Sequence, residues 1–353
     1  TERFGNPASI NHVFGWQAEE AVQISREKIA STIGSKTNEI IFTSGATESI
    51  NLAIKGLLNN QIKTGDHIIT TNIEHRAVID VLNFVKNKGV DVSFVPINKK
   101  GVINIQSFKK YLKKNTRLCC VIHGNNEIGT IQPIQEIGDL CKENNIIFHV
   151  DASQTLGKRD IDVDSMNIDL LSISGHKLYA PKGIGALYVR RRKPQIKLYP
   201  ILHGGGHEYG YRSGTLSVHN IVGFGTACEI ARKRQKKDNQ MIKKMNIKLL
   251  DGLKKIFPDL IINGNTEKKL EGNLNVTFSK YSAKKIMMKL TEVACSTGSA
   301  CTSSTPEPSH VLLALGLTKE KINNTIRFGI GRFNNLKEIE YVIELFQNRL
   351  KGN

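Results

Sequence analysis

Between about Glu39 and Arg190, short β-branched runs alternate with stretches of helical period, and this alternation constrains the fold more than any other feature of the chain. Predicted strands are Ile40–Thr43, His67–Thr71, Val92–Pro96, Leu118–His123, Ile146–Val150, Leu170–Ser174 and Ala186–Val189. Helical spacing covers Trp16–Ile33, Thr47–Leu58, Ala77–Lys88 and Ile134–Asn144. Strands that alternate with helices form a mostly parallel sheet covered on both faces, so an α/β domain is expected. After about Phe224 the texture changes. A long Lys-rich helix over Ala227–Phe257 is followed by strand-like Leu260–Ile262 and Asn273–Thr277, a helix at Ala283–Leu290, a Gly/Ser stretch around Cys301 and a closing helix at Leu336–Leu350. The expected organisation is a large domain over 1–224 and a smaller α+β domain over 225–353, with no internal repeat.

The 353 residues leave ample core for both domains, and no apolar run approaches the roughly 20 residues of a membrane helix. The chain opens on Thr1 without a signal-peptide pattern, so it is expected to be either processed or a fragment. None of the six cysteines forms C-x-x-C, which points to a reducing, intracellular compartment. Cys119 and Cys120 read as small core residues on opposite faces of one strand. The net charge of +18 suits an acidic partner, a membrane surface or nucleic acid. Its densest run, Arg232–Lys237, fits a solvated helix face, and no nucleic-acid-binding module is present. His203 and His207 have metal-like spacing, but Gly204, Gly205 and Gly206 between them argue against a helix, and no metal site is expected.

In open α/β sheets, ligands gather at the carboxyl ends of the strands. Four such ends carry polar residues here. Thr43-Ser44-Gly45-Ala46-Thr47-Glu48 leads from a strand into a helix and suits either a phosphate on the backbone N–H groups or an ordinary capping box. Asp151, in His149-Val150-Asp151-Ala152-Ser153-Gln154, either caps the next turn of chain or pairs with a buried cation such as a pyridinium nitrogen. Lys177 ends Ser174-Gly175-His176-Lys177, where poor solvation and nearby cations would favour the neutral amine that a Schiff base requires. His123-Gly124-Asn125-Asn126 is either a simple turn or a source of an amide near a cofactor ring. An Asp and a Lys on successive strand ends match the needs of pyridoxal phosphate.

These segments resemble the IscS/NifS cysteine desulfurases, pyridoxal-phosphate enzymes of fold type I, and most closely the IscS-like subgroup. The resemblance spans essentially the whole chain. It rests on Phe4-Gly5-Asn6-Pro7, Thr43–Ser49, Asn125–Gly129, Ser174–Lys177, Gly204–Glu208, Arg212–Thr215, Gly298–Ser303 and Ile326-Arg327-Phe328, in that order. It implies a large domain built on a mostly parallel seven-stranded sheet, with a smaller C-terminal domain. It also implies that Lys177 carries pyridoxal phosphate and moves the substrate's α-proton, and that Asp151 keeps the ring nitrogen protonated. Gln154 is expected on the phenolic oxygen and His75 stacked on the ring. Thr47, Ser174 and His176 are expected at the phosphate, joined by Thr215 of the partner subunit, and Ala46 is expected to contact the cofactor. Asn126 and Arg327 would orient the substrate, L-cysteine, with the guanidinium forked on its carboxylate.

The resemblance makes Cys301 the nucleophile that becomes a persulfide. Its small-residue surroundings, Thr297–Ser304, read as a mobile loop. Cys295 reads as packing at a strand end that could trap a disulfide with Cys301. The implied product is L-alanine, and the implied partners are a second copy of the chain, an iron–sulfur scaffold protein and tRNA-thiolation acceptors. The implied compartment is the bacterial cytoplasm or a mitochondrial-type matrix. Three features depart from the family pattern: Tyr209 stands where the family usually has Arg, the family's opening Tyr-Leu-Asp segment is missing, and its C-terminal tail reads as truncated after Asn353. Rival readings are a selenocysteine lyase or an aminotransferase of the same fold, and a non-catalytic platform for sulfur-transfer partners.

Overall fold

The computed structural model describes residues 4–58, 61–297 and 307–351. The chain forms two compact units. The first comprises 1–95, 105–123 and 133–235, and the second 96–104, 124–132 and 236–353.

The first unit opens with α1 (Val13–Ile33), capped by the His12 ring and ended by Gly34 in a left-handed conformation. Next in the chain are β1 (Ile40–Thr43), α2 (Ala46–Gly56), β2 (His67–Thr71), α3 (Arg76–Lys86) and β3 (Asp91–Val95). Then come α4 (Ile105–Lys110), β4 (Thr116–Ile122), α5 (Ile134–Glu143), β5 (Ile147–Asp151), β6 (Leu170–Ser174) and β7 (Gly185–Val189). The seven strands form one sheet in the order β1-β7-β6-β5-β4-β2-β3. Only β7 runs against the others.

Every residue of β1, β2, β6 and β7 is buried, as expected for strands covered on both faces. Ile50, Leu52, Ile54, Val78, Leu82 and Val85 of α2 and α3 pack with Ile41, Ile68, Leu118 and Leu187 of the sheet. Because β1, β2, β5 and β6 run the same way, Thr43, Thr71, Asp151 and Ser174 all end at one edge of the sheet. Hydrophobic burial thus fixes which polar residues share an edge.

In the second unit, β8 (Ile261–Ile262), β9 (Asn273–Thr277), β10 (Ser296–Thr297) and β11 (Thr325–Gly329) form an antiparallel sheet in the order β10-β11-β9-β8. Its short helices are α7 (Ala283–Lys289), α8 (His310–Ala314) and α9 (Lys319–Asn323), and the longer α10 (Leu336–Phe346) comes last. Ser282, Ser309, Thr318 and Asn335 cap these four helices, Asn335 in a reciprocal box with Glu338. Phe257, Phe278, Phe328 and Phe346 form the aromatic centre of its core, with Phe278 and Phe346 stacked and the other pairs edge to face.

The division of the chain falls inside a single helix, α6 (Val218–Ile256), after Gln235. The sequence pattern predicts a later start for this helix and a single boundary at 224/225. The segments 96–104 and 124–132 also belong with the second unit. Gln132 ties them together, its Nε2 donating to Gly101 O at 2.6 Å and its Oε1 accepting from Ile103 N at 2.9 Å.

Candidate active site

Each strand end in the first unit turns its polar residue to a different use. After β1, Gly45 adopts φ 154°, and a Cβ there would meet nothing within 4 Å. Glycine is favoured at that φ, and it leaves the entrance of α2 open. Gly185 lies hard against this turn, since a Cβ on it would come within 2.6 Å of the Gly45 Cα. No side chain caps α2 at Gly45, so its first N–H groups are left without a capping side chain. Ala46 is half-buried here and Thr47 exposed.

At the end of β5, Asp151 is 3% exposed and its Oδ1 accepts from Ser153 N at 2.9 Å and Ser153 Oγ at 2.5 Å. Gln154, one residue further on, is half-buried. Next to Asp151 in the sheet is Ile122 of β4. At the end of β6, Ser174 Oγ and His176 Nδ1 lie 3.0 Å apart, and Lys177 sits in a short 3-10 turn over Gly175–Leu178. Contrary to the expectation of poor solvation, Lys177 is exposed in this chain. A neighbouring cation is supplied by Lys158, whose ammonium is pushed down to about 8 by burial and, second, by the charge of Lys177.

His75 is exposed and caps α3, its Nδ1 accepting from Ala77 N at 3.1 Å. Thr215 is exposed in the glycine-rich segment after β7. Beside His203 in that segment, His207 uses its Nδ1 to accept from Gly214 N at 3.2 Å.

Buried groups that local sequence pattern did not reveal lie in these strands or just past their ends. Glu74 is fully buried and takes a 2.5 Å hydrogen bond from the Thr71 hydroxyl. Burial, reinforced by the charge of Asp151, pushes its carboxyl up to about 8 against these hydrogen bonds, so it is mostly protonated at neutral pH. His123 is pushed down to about 4 by burial and then by the Arg159 charge. His149, with Nε2 2.9 Å from Ser172 Oγ, is pushed down to about 3 by burial. Both rings are neutral at physiological pH. The signal available in sequence was a polar residue inside an apolar strand, which does not tell a satisfied core residue from a functional one.

In the second unit, Arg327 lies on β11, paired in register with Asn275 of β9 and Ser296 of β10. Its Nη1 donates to Asn126 O at 2.9 Å and its Nη2 to Ser296 Oγ at 3.1 Å. Asn126 O also accepts from Asn273 Nδ2 at 3.4 Å. Among the described residues no carboxylate pairs with Arg327, so its positive charge remains available to an anion. Cys295 is half-buried just before β10, and burial pushes its thiol up. Cys301 lies outside the described residues.

The sequence signature of class-V aminotransferases matches residues 1–342. A protein named cysteine desulfurase IscS from Tolumonas auensis is 50% identical over 347 residues, 98% of this chain and 85% of that protein. A protein of Dictyostelium discoideum named as a probable mitochondrial cysteine desulfurase is 45% identical, over 99% of this chain and 78% of its own. A solved structure named a NifS-like protein superimposes with a TM-score of 0.92 at 33% identity, covering 100% of this chain and 93% of that one. The chain belongs to the class-V aminotransferase family, among its cysteine desulfurases.

Cysteine desulfurases of this family depend on pyridoxal phosphate, and the first unit offers groups that fit it. The open, uncapped entrance of α2 with the Ser174–His176 pair suits a phosphate, and buried Asp151 suits a protonated ring nitrogen. Lys177 is placed one short turn beyond β6. Among the described residues no helix is long and apolar enough to cross a membrane.

Proposed function

We propose that this cysteine desulfurase removes sulfur from L-cysteine, releases L-alanine and leaves the sulfur as a persulfide on Cys301. Asp151 carries this reading: a carboxylate 3% exposed, held by Ser153, on the same sheet edge that leads to Lys177. Pyridoxal phosphate bound there supplies an electron sink for the pair left at the substrate's α-carbon. Ala46, Thr47, Ser174 and His176 hold its phosphate, with Thr215 of the partner subunit, and Gln154 meets its phenolic oxygen. Asp151 holds the ring-nitrogen proton.

Lys177 Nζ binds the cofactor and then takes and returns the α-proton, aided by the exposed His75 ring. Arg327 binds the substrate carboxylate, and Asn126, whose carbonyl orients Arg327, completes the substrate contact. Cys301 Sγ attacks the substrate sulfur as a thiolate; the S–S bond forms as the C–S bond breaks, and the carbon fragment takes up a proton to leave as alanine.

The chain works as a homodimer and passes its sulfur to an iron–sulfur scaffold protein or a tRNA-thiolation acceptor. It does so in the bacterial cytoplasm or a mitochondrial-type matrix. Incubation with pyridoxal phosphate and L-cysteine, read by alanine and sulfide, tests the reaction. Alanine production that persists undiminished in Cys301→Ala overturns the persulfide step, and production that persists in Lys177→Ala overturns the site.

A further inference from the structure

The glycine-rich segment after β7 contains a feature that the cofactor assignment does not use. Glu208 and Tyr209 both have left-handed backbones, φ 53° and 57°, and Gly210 comes next at φ 84°. Non-glycine residues enter that region at a cost, so something must hold them there. Glu208 is gripped by Arg26 through two 2.8 Å hydrogen bonds, Nη1 to Oε2 and Nη2 to Oε1, with side chains 2–3% exposed. The same carboxylate accepts from Phe42 N in β1 at 2.6 Å, and Arg26 also donates to Ile40 O at 2.7 Å. Two guanidinium groups lie over the Tyr209 ring, Arg191 at 4.2 Å and Arg26 at 5.6 Å from its centroid. A third cation at 209 would be repelled there, whereas an aromatic face is attracted.

This locked turn leads directly to Arg212. Its Nε donates to Glu48 Oε1 at 2.8 Å and its Nη2 to Glu48 Oε2 at 3.4 Å. Glu48 stands in the first turn of α2, beside Thr47, and its Oε2 also accepts from Ser44 N at 2.8 Å. A bare carboxylate at that point would repel a phosphate dianion at the helix entrance. Paired with Arg212, it can hold the Ser44–Gly45 turn without presenting net charge. Burial pushes the Glu48 carboxyl up, but the hydrogen bonds from Arg212 and Ser44 prevail and keep it below its ordinary value.

We propose that Arg26, Glu208, Tyr209 and Arg212 are positioning residues for the phosphate site: the locked 208–210 turn delivers Arg212 to Glu48, which neutralises that carboxylate and opens the entrance of α2 to a dianion. This rests on the placing of pyridoxal phosphate proposed above.

The test compares binding of pyridoxal phosphate and of pyridoxal, which lacks the phosphate, to the cofactor-free protein by absorbance titration. Arg212→Gln weakens pyridoxal phosphate about tenfold, the scale of one helix-terminus charge interaction, and leaves pyridoxal unchanged. Adding Glu48→Gln to Arg212→Gln restores most of the loss, because the carboxylate left unpaired is what repels the phosphate. Tyr209→Leu, which keeps the Arg26–Glu208 pair, weakens pyridoxal phosphate in the same selective way, and so does Glu208→Gln. Should Glu208→Gln fail to fold, the Arg212, Glu48 and Tyr209 variants decide the matter. Equal weakening of both ligands, no change in either, or no recovery in the double variant overturns the proposal. Wild-type protein that does not prefer pyridoxal phosphate over pyridoxal overturns the cofactor placement itself.

Discussion

Asp151 and Ser153 form a closed unit at the end of β5, in which one carboxylate oxygen accepts both the Ser153 N–H at 2.9 Å and its hydroxyl at 2.5 Å. Two donors on one oxygen hold this buried carboxylate in a single orientation. A cation held at the edge of the sheet requires that fixed direction. Asp151→Asn is therefore expected to lower alanine production on the order of a hundredfold or more, the scale of a lost charge in a preorganised site. Ser153→Ala, which leaves the carboxylate but not its hydroxyl donor, should cost about tenfold. A Ser153→Ala loss equal to that of Asp151→Asn would show that Ser153 acts other than through Asp151.

Glu74 makes a prediction of opposite electrostatic character. Its carboxyl is raised to about 8 in the folded chain against an ordinary value of 4.5. Between those two values the folded state keeps a proton that the unfolded state releases. Its contribution is thus fully present below about 4.5 and is lost as pH rises through about 8. Glu74→Gln removes that dependence while keeping the shape. The melting temperature of the variant relative to wild type should climb from pH 5 to pH 8, by an amount equivalent to a few kcal/mol at most. A difference that stays flat across this range would mean that Glu74 is ionised in the native protein.

Much of this architecture was legible in the sequence because it is local. Ile40–Thr43, His67–Thr71 and Leu170–Ser174 begin and end as their β-branched runs do, and this places the residues at their ends. What escaped depends on contacts between distant parts of the chain. The second unit draws in 124–132 through Asn273 and Asn275 side chains that donate to Glu127 O at 3.2 and 3.1 Å, and no periodicity reports such bonds. The exposure of Lys177 after β6 and the half-burial of Lys158 after β5 are similar cases. How far each lysine is covered depends on what packs over its turn, and the local sequence does not report it.

Arg327 directs one bond from each Nη nitrogen to a backbone carbonyl and a hydroxyl, neither of which neutralises it. Lysine keeps the charge but cannot reproduce the fork that holds Asn126 O and Ser296 Oγ while facing a carboxylate. Arg327→Lys is expected to raise KM for L-cysteine about tenfold or more, with a smaller fall in kcat, because the contact is made to a group that does not react. Steady-state kinetics check this. A fall confined to kcat would place Arg327 at the reacting atoms instead of at the carboxylate.

The cysteines differ in reactivity because of where the fold puts them. Cys119, Cys120, Cys141 and Cys228 are buried. Burial holds the thiols of Cys119, Cys120 and Cys228 above their ordinary value, and does so for half-buried Cys295 as well. Thiolate is the reactive form, so none of these competes well for an electrophile at neutral pH. Native protein treated briefly with iodoacetamide should take up one label, on Cys301, with Cys295 reacting more slowly; denaturation should expose all six cysteines of the sequence. Peptide mapping by mass spectrometry reads the order of labelling directly. Prior turnover of L-cysteine should leave that same residue carrying an extra sulfur. Fast labelling at Cys119 of β4 or Cys141 of α5 instead would mean that the first unit opens around them, and it would remove the basis for assigning sulfur transfer to a single thiol.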